Sequence, residues 1–116
     1  PKVRWSAAYS LGYLKHYDNR LVKLLKDKNY EVRRAAVESL GKMNHYSHEL
    51  VSLLNDEEWH VRSAVKSVLV QMGNFQILND IKKYCTIKYE GEIGETVKKI
   101  ISQSKPKGYI APEKAV

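Results

Sequence analysis

The stretch LLKDKNYEVRRAAVESLGKM, residues 24–43, decides the fold of this 116-residue chain. Its second part has apolar residues at steps of three and four, the spacing that puts side chains on one stripe of a helix. These residues are Val32, Ala35, Ala36, Leu40 and Met43. The shorter apolar segment at residues 21–25 has the same spacing. Two helices, one short and one long, are therefore predicted.

The pattern recurs along the chain at an offset of 29 residues. The matched sets are Val3, Val32 and Val61; Arg4, Arg33 and Arg62; Leu11, Leu40 and Leu69; and Asp27 and Asp56. A period of 20 to 50 residues with two helices per unit is typical of a solenoid, in which each hairpin buries its apolar face against its neighbours. We predict an all-α, right-handed α-solenoid, a superhelix of about seven helices.

The repeats divide the chain into a repeat domain and a tail. The domain is predicted to span residues 1–103, with units near 1–15, 18–43, 47–73 and 75–103. The first unit is partial because it has only the second helix of a hairpin, which leaves open whether the chain is a fragment of a longer repeat protein. Residues 104–116 contain two prolines and a glycine but no helical stripe, so we predict a flexible C-terminal tail.

Three glycines and two polar residues predict how individual helices pack and where they begin or end. Gly12 and Gly41 fall late in long helices, where glycine is disfavoured, so they are predicted to mark close helix approach. Gly73 is predicted to end its helix as a C-terminal cap. Asn19 and Ser47 are predicted to cap the short helices.

Three segments of the chain resemble the phycobilisome-lyase-type HEAT repeats and the consensus alpha-repeat scaffolds designed from them. They are residues 24–27, 32–36 and 39–43. The resemblance covers residues 2–73 well and weakens over 75–103, where Gly94 replaces an expected Arg and Thr96 an expected Ala. It implies that the Val-Arg helices line a concave face and the Leu-Leu helices a convex one. It also implies a structural ladder that bridges adjacent turns, formed by Asp27, Asp56, Arg33 and Arg62.

A row of aromatic side chains suggests where a partner binds. Trp5, Tyr9 and Tyr13 follow four-residue steps and share one helix face. By resemblance, this face and its repeat equivalents form the concave surface, and aromatic and Arg side chains dominate binding hot spots. The predicted partner-binding residues are Trp5, Tyr9, Tyr13, Tyr30, Arg34, Glu38, Lys42, Trp59 and Ser63. The alternative is that the three aromatics pack against a missing repeat, the tail or a second copy.

The charge leaves a second class of partner open. Twenty Lys and Arg against thirteen Asp and Glu give a net charge of +7, which favours anionic partners. Nucleic acid is the alternative to a protein partner, because basic and aromatic side chains suit backbone tracking and base stacking. Against it, glutamates fall on or beside the groove, and the lysines cluster toward the C-terminal end. They are Glu31, Glu38, Glu57 and Glu58, and Lys82, Lys83, Lys88, Lys98 and Lys99.

Other classes have no support in the sequence. No apolar run is long enough to span a bilayer. Cys85 is the only cysteine, which fits a reducing, cytoplasmic setting and excludes a thiolate metal cluster. His16 and His45 recur at the same point of successive repeats and His48-Glu49 occurs once, so we predict no metal. Catalytic motifs are lacking. The sequence predicts a non-catalytic protein without a cofactor, and its oligomeric state stays open.

Overall fold

The computed structural model describes residues 1–15, 17–84 and 90–104. These residues form helices and no strands, so the prediction of an all-α chain is confirmed. The helices are α1 Lys2–Tyr13, α2 Arg20–Leu24, α3 Tyr30–Lys42, α4 Glu49–Ser52 with a 3₁₀ turn at Leu53–Asn55, α5 Trp59–Met72, α6 Phe75–Tyr84 and α7 Glu90–Ser104. His16, Cys85, Lys88 and nearly all of the predicted tail lie outside the described residues.

The helices form two layers. The long helices α1, α3, α5 and α7 pack side by side in chain order, each against the next. The short helices α2, α4 and α6 form the second layer, where α2 packs on α3, α4 on α5 and α6 on α7. This arrangement confirms the predicted α-solenoid.

The core lies between the layers because each long helix buries its apolar stripe there. In α3, the residues Val32, Ala36 and Leu40 are fully buried, as are Leu21 of α2 and Leu50 of α4. Asn29 caps α3, since its side-chain oxygen accepts hydrogen bonds from the backbone N–H groups of Glu31 and Val32 at 2.9 and 3.2 Å.

Glycines set the distance between the long helices. A Cβ on Gly12 would stand 2.7 Å from the Cα of Ser39, and one on Gly41 would stand 2.6 Å from a methyl of Val68. The predicted close approach is confirmed at both positions. Gly73 has a φ of 46° and ends α5 in the left-handed conformation, which confirms the predicted cap.

The predicted caps of the short helices are wrong. Asn19 stands at the start of α2 without a side-chain capping bond, and the Asp18 carboxylate accepts from the Arg20 N–H instead, at 2.9 Å. Ahead of α4, the Ser47 hydroxyl donates to the Glu49 side chain and not to the helix. Before α2 the Asp18 carboxylate is the stronger acceptor and takes the N–H donor, whereas before α4 the Ser47 hydroxyl is engaged as a donor to a carboxylate.

Candidate partner-binding site

Arginines join the turns that begin the long helices. The Arg33 guanidinium donates to the Asp56 carboxylate at 2.8 and 3.1 Å, and to the backbone oxygen of Asp27 at 2.8 Å. Arg62 repeats the second contact, donating to the backbone oxygen of Asp56 at 2.8 Å. Arg62 also donates to the backbone oxygen of Glu57 at 3.1 Å, and it pairs with the Glu92 carboxylate at 3.3 Å, since the following unit has no aspartate in register. The structure thus brings the predicted ladder residues together, each arginine spanning two units.

Arg4 also belongs to this ladder, although it was not among the predicted ladder residues. Its guanidinium contacts the Asp27 carboxylate at 2.8 and 3.2 Å. The signal was available, because Arg4 aligns with Arg33 at the 29-residue offset. The hydrogen bond from Arg4 lowers the pKa of Asp27 below its ordinary value, although partial burial acts in the opposite direction. Asp27 also accepts from the N–H of Asn29 at 2.9 Å, which shapes the turn before α3.

The lowered pKa of Asp27 gives a prediction for acid unfolding. The unfolded carboxyl titrates near its ordinary pKa of about 4 and the folded one lower, so the pair stabilises the protein above that pH. That contribution is lost as the pH falls through the folded pKa. We expect Asp27→Asn to have a lower Tm at pH 7 but a smaller fall in Tm between pH 6 and pH 3. Glu90→Gln, at the exposed start of α7, is the control and should follow the wild type; parallel curves for all three proteins would contradict the prediction.

The first cleft lies between α1 and α3 and has a volume of about 180 Å³. Trp5, Tyr9, Glu31 and Arg34 line it. The rings of Trp5 and Tyr9 meet edge to face, with centroids 5.9 Å apart. Burial, followed by a hydrogen bond to Glu38, raises the pKa of Tyr9 to about 12. Arg34 donates to the same Glu38 carboxylate at 2.8 Å, which links the first cleft to the second, where Glu38 lies.

The second cleft lies between α3 and α5 and measures about 340 Å³. Its lining residues are Arg34, Glu38, Trp59, His60, Ser63, Ala64, Ser67 and Val68. Trp59 leaves 58% of its surface exposed and meets His60 edge to face at 5.0 Å. His60 in turn stacks on Tyr30 at 6.0 Å. An exposed indole beside Ala64 and Val68 makes this cleft suitable for an apolar side chain.

The third cleft, between α5 and α7, measures about 600 Å³. Its lining residues are Ser63, Lys66, Ser67, Val70, Gln71, Glu92, Glu95, Thr96 and Lys99. Lys66 pairs with Glu92 at 3.2 Å. Sequence reasoning missed the charged residues of this cleft because α7 departs from the 29-residue register.

The three clefts form one continuous surface, which we name the long-helix face. Arg34 lines the first and second clefts, and Ser63 and Ser67 line the second and third. Six of the nine predicted partner-binding residues line these clefts: Trp5, Tyr9, Arg34, Glu38, Trp59 and Ser63.

The other three predicted residues lie beside the clefts. Tyr30 supports His60 by stacking. Tyr13 is 80% exposed, and the Lys42 ammonium lies 5.3 Å from the centre of its ring. Glu31 and His60 also line the clefts. The sequence placed Glu31 on or beside the groove, but neither residue was predicted to bind the partner.

The described histidines are engaged with aromatic rings. His45 stacks on Tyr17 at 3.8 Å and His48 on Tyr84 at 4.6 Å. Within the described part of the chain, no three His, Cys, Asp or Glu side chains converge as metal ligands would. In the same residues, no helix is both long and apolar enough to cross a membrane.

A two-layer stack of helical hairpins defines the protein as an α-solenoid. The profile of the HEAT repeats matches residues 1–49 and 21–86, so the two overlapping matches together cover residues 1–86 of the chain. This chain therefore belongs to the HEAT repeat family. No curated protein matches it closely enough to be named as a relative.

Proposed function

We propose that this protein is a non-catalytic scaffold or subunit that binds a protein partner along the long-helix face. The observation that carries the proposal is the continuity of the three clefts, which together make a single surface across four helices. HEAT repeats are commonly protein-interaction scaffolds, which supports the same role.

The aromatic side chains of this face favour a binding role. Trp59 and Tyr13 keep 58% and 80% of their surface exposed. Large aromatic side chains bury much apolar area on binding and lose little rotamer freedom, so they serve as anchors in protein interfaces. Trp5 and Tyr9 are half-buried against each other, which fixes their orientation before a partner arrives.

The distribution of charge favours a protein over nucleic acid. Glu31 and Glu38 line the first two clefts, and Glu57 and Glu58 are exposed at the start of α5. Carboxylates along a groove repel a phosphate backbone. Two lysines, Lys66 and Lys99, line the third cleft, where Lys66 is paired with Glu92. Other exposed lysines of α6 and α7 line none of the three clefts. They are Lys82, Lys83 and Lys98.

We further propose that the repeats are of the phycobilisome-lyase type and that the long-helix face is the concave side. The ladder of Arg33 and Asp56, spanning successive turns, supports this assignment. The cytoplasm is the compartment that we propose, on the basis of the single cysteine in the sequence.

Removing the aromatic pair of the first cleft tests the proposal. We expect Trp5→Ala with Tyr9→Ala to weaken partner affinity by about 2 kcal/mol, roughly thirtyfold, because hot-spot aromatics carry such energies. A photoreactive residue placed at position 63 should first crosslink the partner, and one at the exposed position of Lys26 should not. The partner identified in this way is then purified, and its affinity for the wild type and for the double variant is measured. Circular dichroism checks that the double variant keeps its helical content.

The matched control is Phe75→Ala with Tyr84→Ala, two exposed aromatics of α6 that line none of the three clefts. Equal loss in both double variants would contradict a role for the long-helix face. Capture of a nucleic acid, with affinity that falls steeply as salt rises, would replace the protein partner with the other class.

A further inference from the structure

The first cleft has the chemistry of a site for a cationic side chain. Two of its walls are aromatic, since Trp5 and Tyr9 line it, and the Glu31 carboxylate stands at its edge. Aromatic faces attract cations through the ring quadrupole, and a carboxylate adds Coulomb attraction. Glu31 is exposed, and none of the ion pairs formed by the described residues uses it.

The one cation that lines this cleft is already neutralised. Arg34 donates to Glu38 at 2.8 Å, so that pair carries no net charge. The side chains of Glu31, Glu38 and Arg34 together carry one net negative charge at this cleft and its edge, although the chain as a whole carries +7. A local negative site on a basic protein selects cationic groups.

The same aromatic row already holds a cation one turn further along. Lys42 on α3 places its ammonium 5.3 Å from the ring centre of Tyr13 on α1. At the equivalent position of α3, in register with Tyr9, the residue is Glu38 and not a lysine. No lysine of α3 therefore repeats this contact at Tyr9.

The distance between the first and second clefts sets how many residues of a bound peptide separate its two contacts. Adjacent packed helices stand about 10 Å apart, and an extended chain advances about 3.3 Å per residue, so neighbouring clefts correspond to roughly three residues. The second cleft offers the exposed indole of Trp59 beside Ala64 and Val68, which suits an apolar side chain.

We propose that the long-helix face binds an extended peptide segment with a lysine or arginine in the first cleft and a large apolar residue three positions away in the second. This inference rests on the proposed function and names the chemistry of the partner. Glu57 and Glu58, exposed beside Trp59, add to the attraction for a basic segment.

The test uses the full chain and short fluorescent peptides of Gly and Ser that carry Lys and Trp three positions apart, in both orders. We expect fluorescence anisotropy to show saturable binding at low salt for at least one order, and weaker binding when the peptide Lys is replaced by Gln. Glu31→Gln should weaken the Lys peptide roughly five- to tenfold and leave the Gln peptide unchanged. Glu90→Gln, on the exposed start of α7, is the matched control and should change neither.

Three results would overturn the inference: no peptide binding, equal effects of Glu31→Gln and Glu90→Gln, or tighter binding of an Asp peptide than of the Lys peptide. The proposed function is judged separately by the Ser63 crosslink and the Trp5 and Tyr9 variant. If that partner is captured through the long-helix face but its crosslinked segment has no Lys or Arg, the scaffold role stands and the cation site is wrong. If neither crosslink nor peptide binding is found, both fail.

Discussion

Replacing Arg33 with methionine is expected to lower the free energy of unfolding by about 3 kcal/mol, because it breaks a largely buried ion pair. The Arg33 and Asp56 side chains are only 16% and 7% exposed. Methionine keeps the apolar stem but removes every donor, which leaves the Asp56 carboxylate without its cation and the backbone oxygen of Asp27 without the guanidinium donor. Urea unfolding followed by far-UV circular dichroism measures the change.

Arg20→Met is the control for this variant, since Arg20 also pairs with an aspartate, Asp18, at 2.7 Å. Its side chain is 76% exposed, so solvent screens the pair and the free energy of unfolding should hardly change. The double variant Arg33→Met with Asp56→Asn should recover part of the loss, because the uncompensated charge is then removed. Similar losses for Arg33→Met and Arg20→Met would show that burial does not set the strength of the ladder.

Gly12→Ala is expected to lower the free energy of unfolding by about 2 kcal/mol, since overpacking a close helix contact costs 1–3 kcal/mol. The new methyl would stand 2.7 Å from the Cα of Ser39, a backbone atom that cannot rotate away. Ser39 is also fixed by its own hydrogen bond, in which its hydroxyl donates to the backbone oxygen of Ala8 at 2.6 Å. The helices α1 and α3 must therefore separate to accept the methyl.

The same substitution at Gly94 should have the opposite sign. Gly94 is an exposed position inside α7, and a Cβ there meets nothing within 4 Å. Alanine should therefore raise the free energy of unfolding by roughly 0.5–1 kcal/mol, through helix propensity alone. Both variants are measured by the same urea unfolding. Stabilisation by both would mean that the long helices tolerate a wider spacing at Gly12 than the packing indicates.

The sequence was a good guide where one repeat copies another. The buried stripe of Val32, Ala36 and Leu40 and the close contacts at Gly12 and Gly41 follow from periodicity and residue size. The same register selected most residues of the first two clefts. It was a poor guide to the caps at Asn19 and Ser47, because the Asp18 carboxylate accepts the N–H before α2 and the Ser47 hydroxyl donates to Glu49.

The third cleft shows the limit of the repeat as a guide to the site. Lys66 and Glu92 meet at 3.2 Å across α5 and α7, although α7 departs from the 29-residue register of the earlier units. Arg62 turns to the same glutamate, where Arg33 has an aspartate in register. Such pairings depend on how the last helix packs against α5, which no residue pattern specifies.

By itself, the sequence determined that this chain folds as stacked helical hairpins. The apolar spacing within each segment predicts a helix, and comparing segments along the chain shows the repeat. It also determined which aromatic residues share a helix face. The i, i+4 spacing of Arg34 and Glu38 on α3 is likewise a local property of the sequence. Only the tertiary structure decided that Lys42 covers Tyr13 and that Glu31 lies beside Trp5 and Tyr9. Those relations depend on distances between side chains, most of them on different helices, and the packing of α1 against α3 sets most of these distances.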